Sequence, residues 1–358
     1  MEPTTTLDFS GQDIYIGLDV HKNNWKTSIF TKDFEHKTFT QDPDPEILVN
    51  YLHRNFPKAT YHAVYEAGYC GFWIHDALKA HGIDCMVINP ADVPTKDKEK
   101  KRKTNKVDAR KLARSLRSGD LDPIYVPNRE ALEDRSLIRA RRNAVKDQTR
   151  YKNRIKAMLS TYGYKIPARF KEGNWSGAFI KWLESVCFHR HTGKSAFQYY
   201  IDELKRARQR VAYLNREIRH LAQEDRYRDK VRLLKTIPGI GTLTAMILLL
   251  ELIDILRFKT LDHTASYIGL VPGEYSSGDD DEVHVTGITP RSKRYLRAIL
   301  IECAWVAVRK DPALTMCYNQ LIKRMPGQKA IIRIARKLLS RIRFVLKNNQ
   351  EYVMAVIE

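Results

Sequence analysis

The order of strand and helix signals between Asp13 and Arg117 constrains the fold of this chain most. Short runs of alternating apolar residues predict three strands in succession, after which helices and strands alternate. Three adjacent strands followed by alternating units predict a mixed sheet flanked by helices. The predicted strands are Asp13–Val20, Trp25–Thr31, Lys37–Thr40, Tyr61–Glu66 and Asp84–Asn89, and the predicted helices are Pro45–Asn55, Phe72–His81 and Lys106–Arg117.

This βββ-α-β-α-β-α order matches the ribonuclease H fold, which we predict for residues 1–127 as an α/β domain. Beyond Asn128 the pattern changes to long helices, so residues 128–225 are predicted to form a helical and coiled-coil region. A further domain, mostly α-helical, is predicted to begin near Arg226 and to span residues 226–358. The chain of 358 residues is long enough for such a division.

The charge balance predicts a polyanionic partner. The chain has 62 Lys and Arg against 42 Asp and Glu, a net charge of +20. The longest apolar run, Ala245–Leu252, is far shorter than the roughly 18 residues that a membrane span needs, which favours nucleic acid over a membrane. Five scattered cysteines indicate free thiols in a reducing compartment, consistent with the cytoplasm.

Basic residues recur at spacings of three and four in the first long helix, which predicts one basic face that follows phosphates. A charged connector at residues 91–104 is a second candidate for nucleic-acid contact. For both segments an ordinary solvated surface is the alternative. The candidate contacts are Lys101, Arg102, Lys103, Arg139, Arg142, Lys146 and Arg150, with Arg135 on the same predicted face.

Apolar residues in the second long helix step alternately by three and four, which is a heptad pattern. Self-association through a coiled coil and packing within the same domain are equally compatible with it. The residues are Leu204, Ala207, Val211, Leu214, Ile218 and Leu221.

Two glycines precede the apolar run of the C-terminal region. Gly239 and Gly241 lie in the segment Thr236–Thr242, which opens a predicted helix at Leu243–Leu252. Glycines at a helix entry let the backbone approach a phosphate. The segment therefore predicts a helix-hairpin-helix element that binds DNA, with a glycine-containing turn without a ligand as the alternative.

Three acidic residues are candidates for a metal site. Asp19 ends the first predicted strand, Glu66 ends the fourth, and Asp108 lies in the first turn of the third helix. In a ribonuclease H fold these positions converge at one end of the sheet. Carboxylate oxygens are the ligands that Mg²⁺ and Mn²⁺ prefer. A surface position or a helix cap is the alternative for each residue alone.

Short motifs occur in a fixed order in both halves of the chain. The N-terminal half carries Ile16–Lys22, Tyr65–Gly68, Val87–Pro90 and Lys103–Ala109. The C-terminal half carries Ile237–Gly241 and Gly269–Pro272, followed by Ser276-Ser277-Gly278. In this order the motifs resemble those of the DEDD-type insertion-sequence transposases, which are serine recombinases guided by a bridge RNA, and the resemblance covers nearly the whole chain.

This resemblance implies a RuvC-like metal site and a nucleophilic serine. The family's first, second and fourth acids fall on Asp19, Glu66 and Asp108, whereas the third falls on Asn105, which is not an acid. The serine before the glycine, Ser277, is the implied nucleophile, which would form a phosphoserine link to DNA. The segment Thr289–Ser292 departs from the family's pattern, and Arg297 close to it is a candidate nucleic-acid contact.

The predicted function is therefore that of a transposase that cuts and rejoins DNA with Mg²⁺ or Mn²⁺. The resemblance implies double-stranded element ends and target DNA as partners, a non-coding guide RNA, a homodimer or homotetramer, and a prokaryotic, nucleoid-associated location. One alternative is a metal-dependent nuclease that does not use Ser277. Another is a nucleic-acid-binding protein without catalysis, which Asn105 favours.

Overall fold

The computed structural model describes residues 8–93, 105–170, 174–275, 284–288 and 292–354. The chain divides into two compact units, Met1–Val126 and Pro127–Glu358. Among the described residues, none of the helices combines the length and the apolar character that crossing a membrane requires.

The first unit contains one five-stranded sheet with helices, so the predicted mixed sheet is confirmed. Its strands are in the order β3-β2-β1-β4-β5. Strand β1 pairs antiparallel with β2 and parallel with β4, and β5 continues the parallel part. The elements are β1 Asp13–Val20, β2 Trp25–Phe30, β3 Glu35–Gln41, α1 Pro45–Asn55, β4 Thr60–Glu66, α2 Trp73–Ala80, β5 Asp84–Ile88 and α3 Asn105–Ser118.

The side chains of strand β1 point alternately to the two faces of the sheet. Its residues Ile14, Ile16 and Leu18 are fully buried in a core that includes residues of α1 and α2. Because side chains alternate along a strand, the residues between them face the other layer. The free edge of β5 is partly covered, since the backbone N–H of Ile124 donates to the carbonyl of Val87 over 2.8 Å.

The second unit begins with two long helices that pack against each other, α4 Arg129–Thr161 and α6 His191–Leu221. Ile138 near the start of α4 shares a core with Ile218 near the end of α6, whereas Ile155 shares a second core with Phe197. The two helices are therefore antiparallel. Residues 160–197, for which the sequence pattern made no assignment, include α5 Gly177–Ser185 and an aromatic cluster.

Residues of the heptad pattern of α6 pack within the same chain. Leu204, Ala207, Ile218 and Leu221 are buried within the second unit. The most extensive helix–helix packing of the unit is between α4 and α6. Of the two alternatives, packing within the same domain is the one that the structure supports, and oligomerisation stays a prediction.

The remaining helices surround one further core. The apolar run forms α8, in which every residue from Ala245 to Leu252 is buried, and the last helix buries residues at spacings of three and four. This core also includes Ile138 and Ile218, so it crosses the boundary predicted near Arg226, and the three-part division stays a prediction. The elements are α7 Asp225–Lys235, α8 Thr242–Leu252, α9 Leu261–Ile268, β6 Pro272–Tyr275, β7 His284–Ile288, α10 Arg294–Val308, α11 Pro312–Ile322 and α12 Gly327–Asn348.

Candidate functional site

Two of the predicted acids lie side by side at the carboxyl ends of parallel strands. Strands β1 and β4 pair in register up to Leu18 and Tyr65, and Asp19 and Glu66 are the next residue of each strand. Neighbouring strands are about 4.8 Å apart. The fold therefore brings Asp19 and Glu66 to adjacent positions at the end of the sheet where the parallel strands finish.

Both acids share the face of the sheet on which α3 packs. Leu18 and Tyr65 are fully buried in the core on the opposite face, so Asp19 and Glu66 point away from that core. Gly17 is on the same face as Asp19, and a Cβ atom built on it would lie 2.2 Å from the carbonyl oxygen of Ala109 in α3.

Asp108, the third predicted acid, immediately precedes this contact in the first turn of α3. The close approach of Ala109 to Gly17 therefore holds Asp108 on the side of the sheet that carries Asp19 and Glu66. Asn105 is the first residue of α3, and its side chain lies outside the described residues.

A histidine outside the set of predicted site residues contacts Asp19. Nε2 of His21 is 3.1 Å from Oδ2 of Asp19, and the Asp19 side chain is only 19% exposed. The spacing of two residues at the end of a strand is the signal that could have identified the pair, because residues i and i+2 share a face. His21 orients the Asp19 carboxylate and supplies hydrogen bonding next to it.

The donor set fits a hard divalent ion better than a soft one, since carboxylate oxygens dominate it. Within the described part of the chain, however, no group of three or more His, Cys, Asp or Glu side chains could hold a metal ion. The described residues thus provide two neighbouring strand-end carboxylates and a third acid on the helix over the same face.

Gly17→Ala is expected to destabilise the first unit by about 2–3 kcal/mol, because the added methyl group forces α3 away from β1. The atoms it would meet, the Ala109 oxygen at 2.2 Å and the Ala113 nitrogen at 2.4 Å, are backbone atoms that cannot rotate away. Urea unfolding followed by circular dichroism measures the effect. Gly68→Ala is the matched control, since its Cβ would meet only the Glu66 carbonyl oxygen, at 3.9 Å. Equal midpoints for both variants would contradict the packing argument.

The predicted nucleophile, Ser277, lies outside the described residues, as do Lys101, Arg102 and Lys103. Strand β6 ends at Tyr275, two residues before Ser277, and pairs antiparallel with β7.

Arg297 helps to fix the start of this hairpin. Its Nη1 donates to the carbonyl oxygen of Gly269 over 3.2 Å and to Oγ of Ser292 over 3.4 Å. These contacts give Arg297 a role in shaping the region between α9 and α10. Its contact with nucleic acid stays a prediction.

The basic residues of α4 do not form one exposed row. Arg135 is half-buried and donates to the carbonyl oxygen of Leu250 over 2.9 Å, and burial lowers its pKa. Arg135 therefore has a partner within the protein, and its place in the predicted phosphate-binding face stays a prediction. Arg150 is paired with Asp147 at 2.7 Å.

Three other residues of this helix, Arg139, Arg142 and Lys146, line cavities beside α10. Arg139 also pairs with the buried carboxylate of Glu251 at 3.4 Å. Glu251 was not among the predicted residues, although a single acid in a run of apolar residues is a signal of a buried, paired charge.

The two glycines of the predicted hairpin differ in their surroundings. Gly239 has a φ of +91°, and a Cβ atom on it would lie 2.5 Å from the carbonyl oxygen of Cys303, so close packing on α10 requires glycine here. Gly241 precedes α8 as its N-cap, and a Cβ atom added to it would meet nothing within 4 Å. The turn is present, and its role in DNA binding stays a prediction.

Comparisons with known proteins identify the class to which this fold and these acids belong. A family model of DEDD-type IS110 transposases matches residues 16–164, which include Asp19, Glu66 and Asp108. A second model, described as "Transposase IS116/IS110/IS902 family", matches residues 231–319. The chain is a transposase of the DEDD class.

The two models match in chain order and describe one family, and the chain belongs to the IS110/IS116 family of transposases. The putative transposase y4qE of Sinorhizobium fredii is 28% identical over 241 residues, which are 67% of this chain and 57% of that protein. The transposase for insertion sequence element IS1533 of Leptospira borgpetersenii is 28% identical over 67% of this chain and 70% of its own length. The pilin gene-inverting protein of Moraxella lacunata is 25% identical over 94% of this chain and 97% of its own length.

Proposed function

We propose that this chain cuts and rejoins the DNA of an insertion sequence, with a divalent metal ion at the strand-end acids and Ser277 as the nucleophile. The observation that carries the proposal is the juxtaposition of Asp19 and Glu66 in register on parallel strands, with Asp108 in the helix over the same face. The family models and the relatives named as transposases support the overall activity.

The metal ion would be held at Asp19 and Glu66, with Asp108 in the helix over the same face, in a ribonuclease H-like fold. A bound Mg²⁺ or Mn²⁺ would neutralise charge on the scissile phosphate and favour ionisation of the attacking hydroxyl group. Asn105 would contribute a neutral oxygen where the related enzymes have an acid, and we expect weaker metal binding as a result.

In the proposed reaction, Oγ of Ser277 forms a bond to the phosphorus while the bond from phosphorus to a deoxyribose oxygen breaks. The serine proton is lost to a base, and the departing oxygen takes up a proton. One phosphoester bond replaces another, so a DNA hydroxyl group can reverse the exchange and rejoin the strand without an external energy source.

Recognition of the DNA would use the excess positive charge of the chain, and a non-coding RNA of the element would select the sites that are joined. The net charge of +20 is consistent with two polyanionic partners. Assembly as a homodimer or homotetramer is part of the same proposal.

The test is incubation of the purified protein with labelled element-end DNA, the element's non-coding RNA and Mg²⁺, followed by denaturing electrophoresis. We expect a labelled protein–DNA adduct that protease treatment removes, that EDTA abolishes and that Mn²⁺ restores. Omission of the RNA is expected to abolish specific cleavage.

Two outcomes would contradict this proposal. Free DNA ends without an adduct would indicate a nuclease that uses water. An absence of cleavage under every metal condition would favour the non-catalytic alternative, which the replacement of an acid by Asn105 also favours.

A further inference from the structure

Two cavities lie next to each other between α4 and the N-terminal end of α10. The first has a volume of about 460 Å³ and the second of about 350 Å³. Both are lined by Arg142, Arg294 and Tyr295, which form the partition that they share. All of these residues belong to the second unit, so the cavities are a feature of one compact body.

The first cavity has an excess of positive charge. Arg139, Arg142, Lys293 and Arg294 line it together with the single carboxylate of Glu251, which leaves a net charge of +3. Glu251 is buried and lies 3.4 Å from Nε of Arg139, so its charge is already engaged by one guanidinium group. Lys293 and Arg294 are exposed, and Nζ of Lys293 also lies 5.7 Å from the centroid of the Tyr267 ring.

The end of a helix adds to this preference for an anion. Arg294 is the first residue of α10, and Lys293 is its N-cap. A lysine side chain has donors only, so Lys293 cannot accept a hydrogen bond from the N–H groups of the first turn. The N–H of Arg294 donates to the carbonyl oxygen of Ser292 over 3.0 Å, and the positive end of the helix dipole favours negative charge here.

The second cavity is also lined by four cationic residues, Arg141, Arg142, Lys146 and Arg294, but most of the surface that faces it is carbon. Val145, Ala298 and the ring of Tyr295 supply part of this carbon surface. The guanidinium carbon of Arg142 lies 4.4 Å from the centroid of the Tyr295 ring. Burial raises the pKa of Tyr295, with the charge of Glu251 adding to the effect and Arg141 and Arg142 opposing it, so the phenol is neutral at ordinary pH. A surface of carbon, one aromatic ring and guanidinium groups suits a flat aromatic group such as a base.

We propose that the two cavities bind one unpaired nucleotide of a nucleic acid, with its phosphate in the first cavity and its base in the second. The inference deepens the proposed function and rests on it, since it names a subsite for the nucleic acid on which the transposase acts. A base within a duplex is stacked and paired, so only a nucleotide that has left the helix could enter the second cavity.

The test measures binding in EDTA, where no cleavage occurs, by the fluorescence anisotropy of a labelled single strand of about 20 nucleotides and of the blunt duplex of the same sequence. The double variant Lys293→Gln/Arg294→Gln is expected to lose about 10-fold in affinity for the single strand. The slope of log affinity against log salt concentration is expected to decrease by the equivalent of about one to two phosphate contacts. Lys323→Gln/Arg324→Gln is the matched control, which removes two exposed charges at the end of α11 and is expected to lose less than about 3-fold.

A second variant tests the base cavity without changing the charge. Ala298 is exposed and lines that cavity, so Ala298→Trp fills the space without disturbing a buried core. We expect about a 10-fold loss in affinity for the single strand, an unchanged salt dependence and unchanged duplex binding. DNA and RNA strands of one sequence identify which nucleic acid provides the nucleotide.

Equal losses in the pocket and control double variants, or parental binding of the single strand by Ala298→Trp, would overturn the inference. The result is separate from that of the cleavage assay. If the parent forms no adduct while these variants lose single-strand binding, the catalytic proposal fails and the nucleotide site stands. If the parent forms the adduct and these variants bind the single strand normally, the nucleotide site is wrong and the catalytic proposal stands.

Discussion

Ser277→Ala is expected to abolish the covalent protein–DNA product, with adduct formation reduced by at least about 10³-fold. The reason is chemical: an alanine methyl group has no oxygen to bond to phosphorus, and no other group can replace the hydroxyl without forming a different product. Denaturing electrophoresis before and after protease treatment measures the adduct. DNA binding in EDTA is expected to be unchanged, because the substitution removes no charge.

The neighbouring serine provides the matched control. Ser276→Ala removes the same atom one residue earlier in the chain and is expected to retain the adduct. Persistence of the adduct in Ser277→Ala would disprove the assignment of the nucleophile. Loss of the adduct in Ser276→Ala alone would transfer the role to that residue.

Asp19→Asn is the second substitution with a large expected effect, a loss of cleavage of roughly 100-fold or more. It keeps the shape of the side chain and removes the negative charge that would bind a divalent ion. Because Asp19 and Glu66 occupy adjacent strand ends, removal of one carboxylate is expected to weaken the site. Calorimetric titration with Mn²⁺ provides a measurement independent of activity, and we expect a clear loss of affinity.

Asp13→Asn is the control for this substitution. Asp13 is at the other end of β1, half-exposed, with its Oδ1 3.0 Å from Nε2 of His62. The control removes the same charge from the same strand and is expected to leave cleavage and Mn²⁺ binding unchanged. Parental Mn²⁺ binding by Asp19→Asn would show that the ion does not depend on this carboxylate.

Local patterns predicted the first unit well because its elements depend on short-range chemistry. Helix α1 has the predicted bounds, Pro45–Asn55, since Asp44 caps it by accepting a hydrogen bond from the Glu46 N–H and Pro45 suits its first position. The alternation of apolar residues in β1 identified the strand that separates the two layers. The ends of the strands then indicated where Asp19 and Glu66 meet.

The partners of the basic side chains could not be predicted in this way. On a helical wheel Arg135 is equivalent to Arg139 and Arg142, yet the carbonyl of Leu250 binds it, whereas the other two line a cavity. The apolar pattern of α6 was equally compatible with a second chain and with packing inside the chain, and the structure shows that α4 packs against α6.

The sequence by itself determined the order of the strands and helices, the positions of the acids at strand ends and the family of the chain, because periodicity, capping residues and short motifs are local. Only the tertiary structure decided that Ala109 contacts Gly17, that Glu251 neutralises Arg139, and that α4 and the start of α10 enclose adjacent cavities. The physical reason is that these contacts join residues far apart in the chain. Which of many chemically equivalent side chains meet is set by the packing of whole helices and strands, and by nothing in the residues on either side of them.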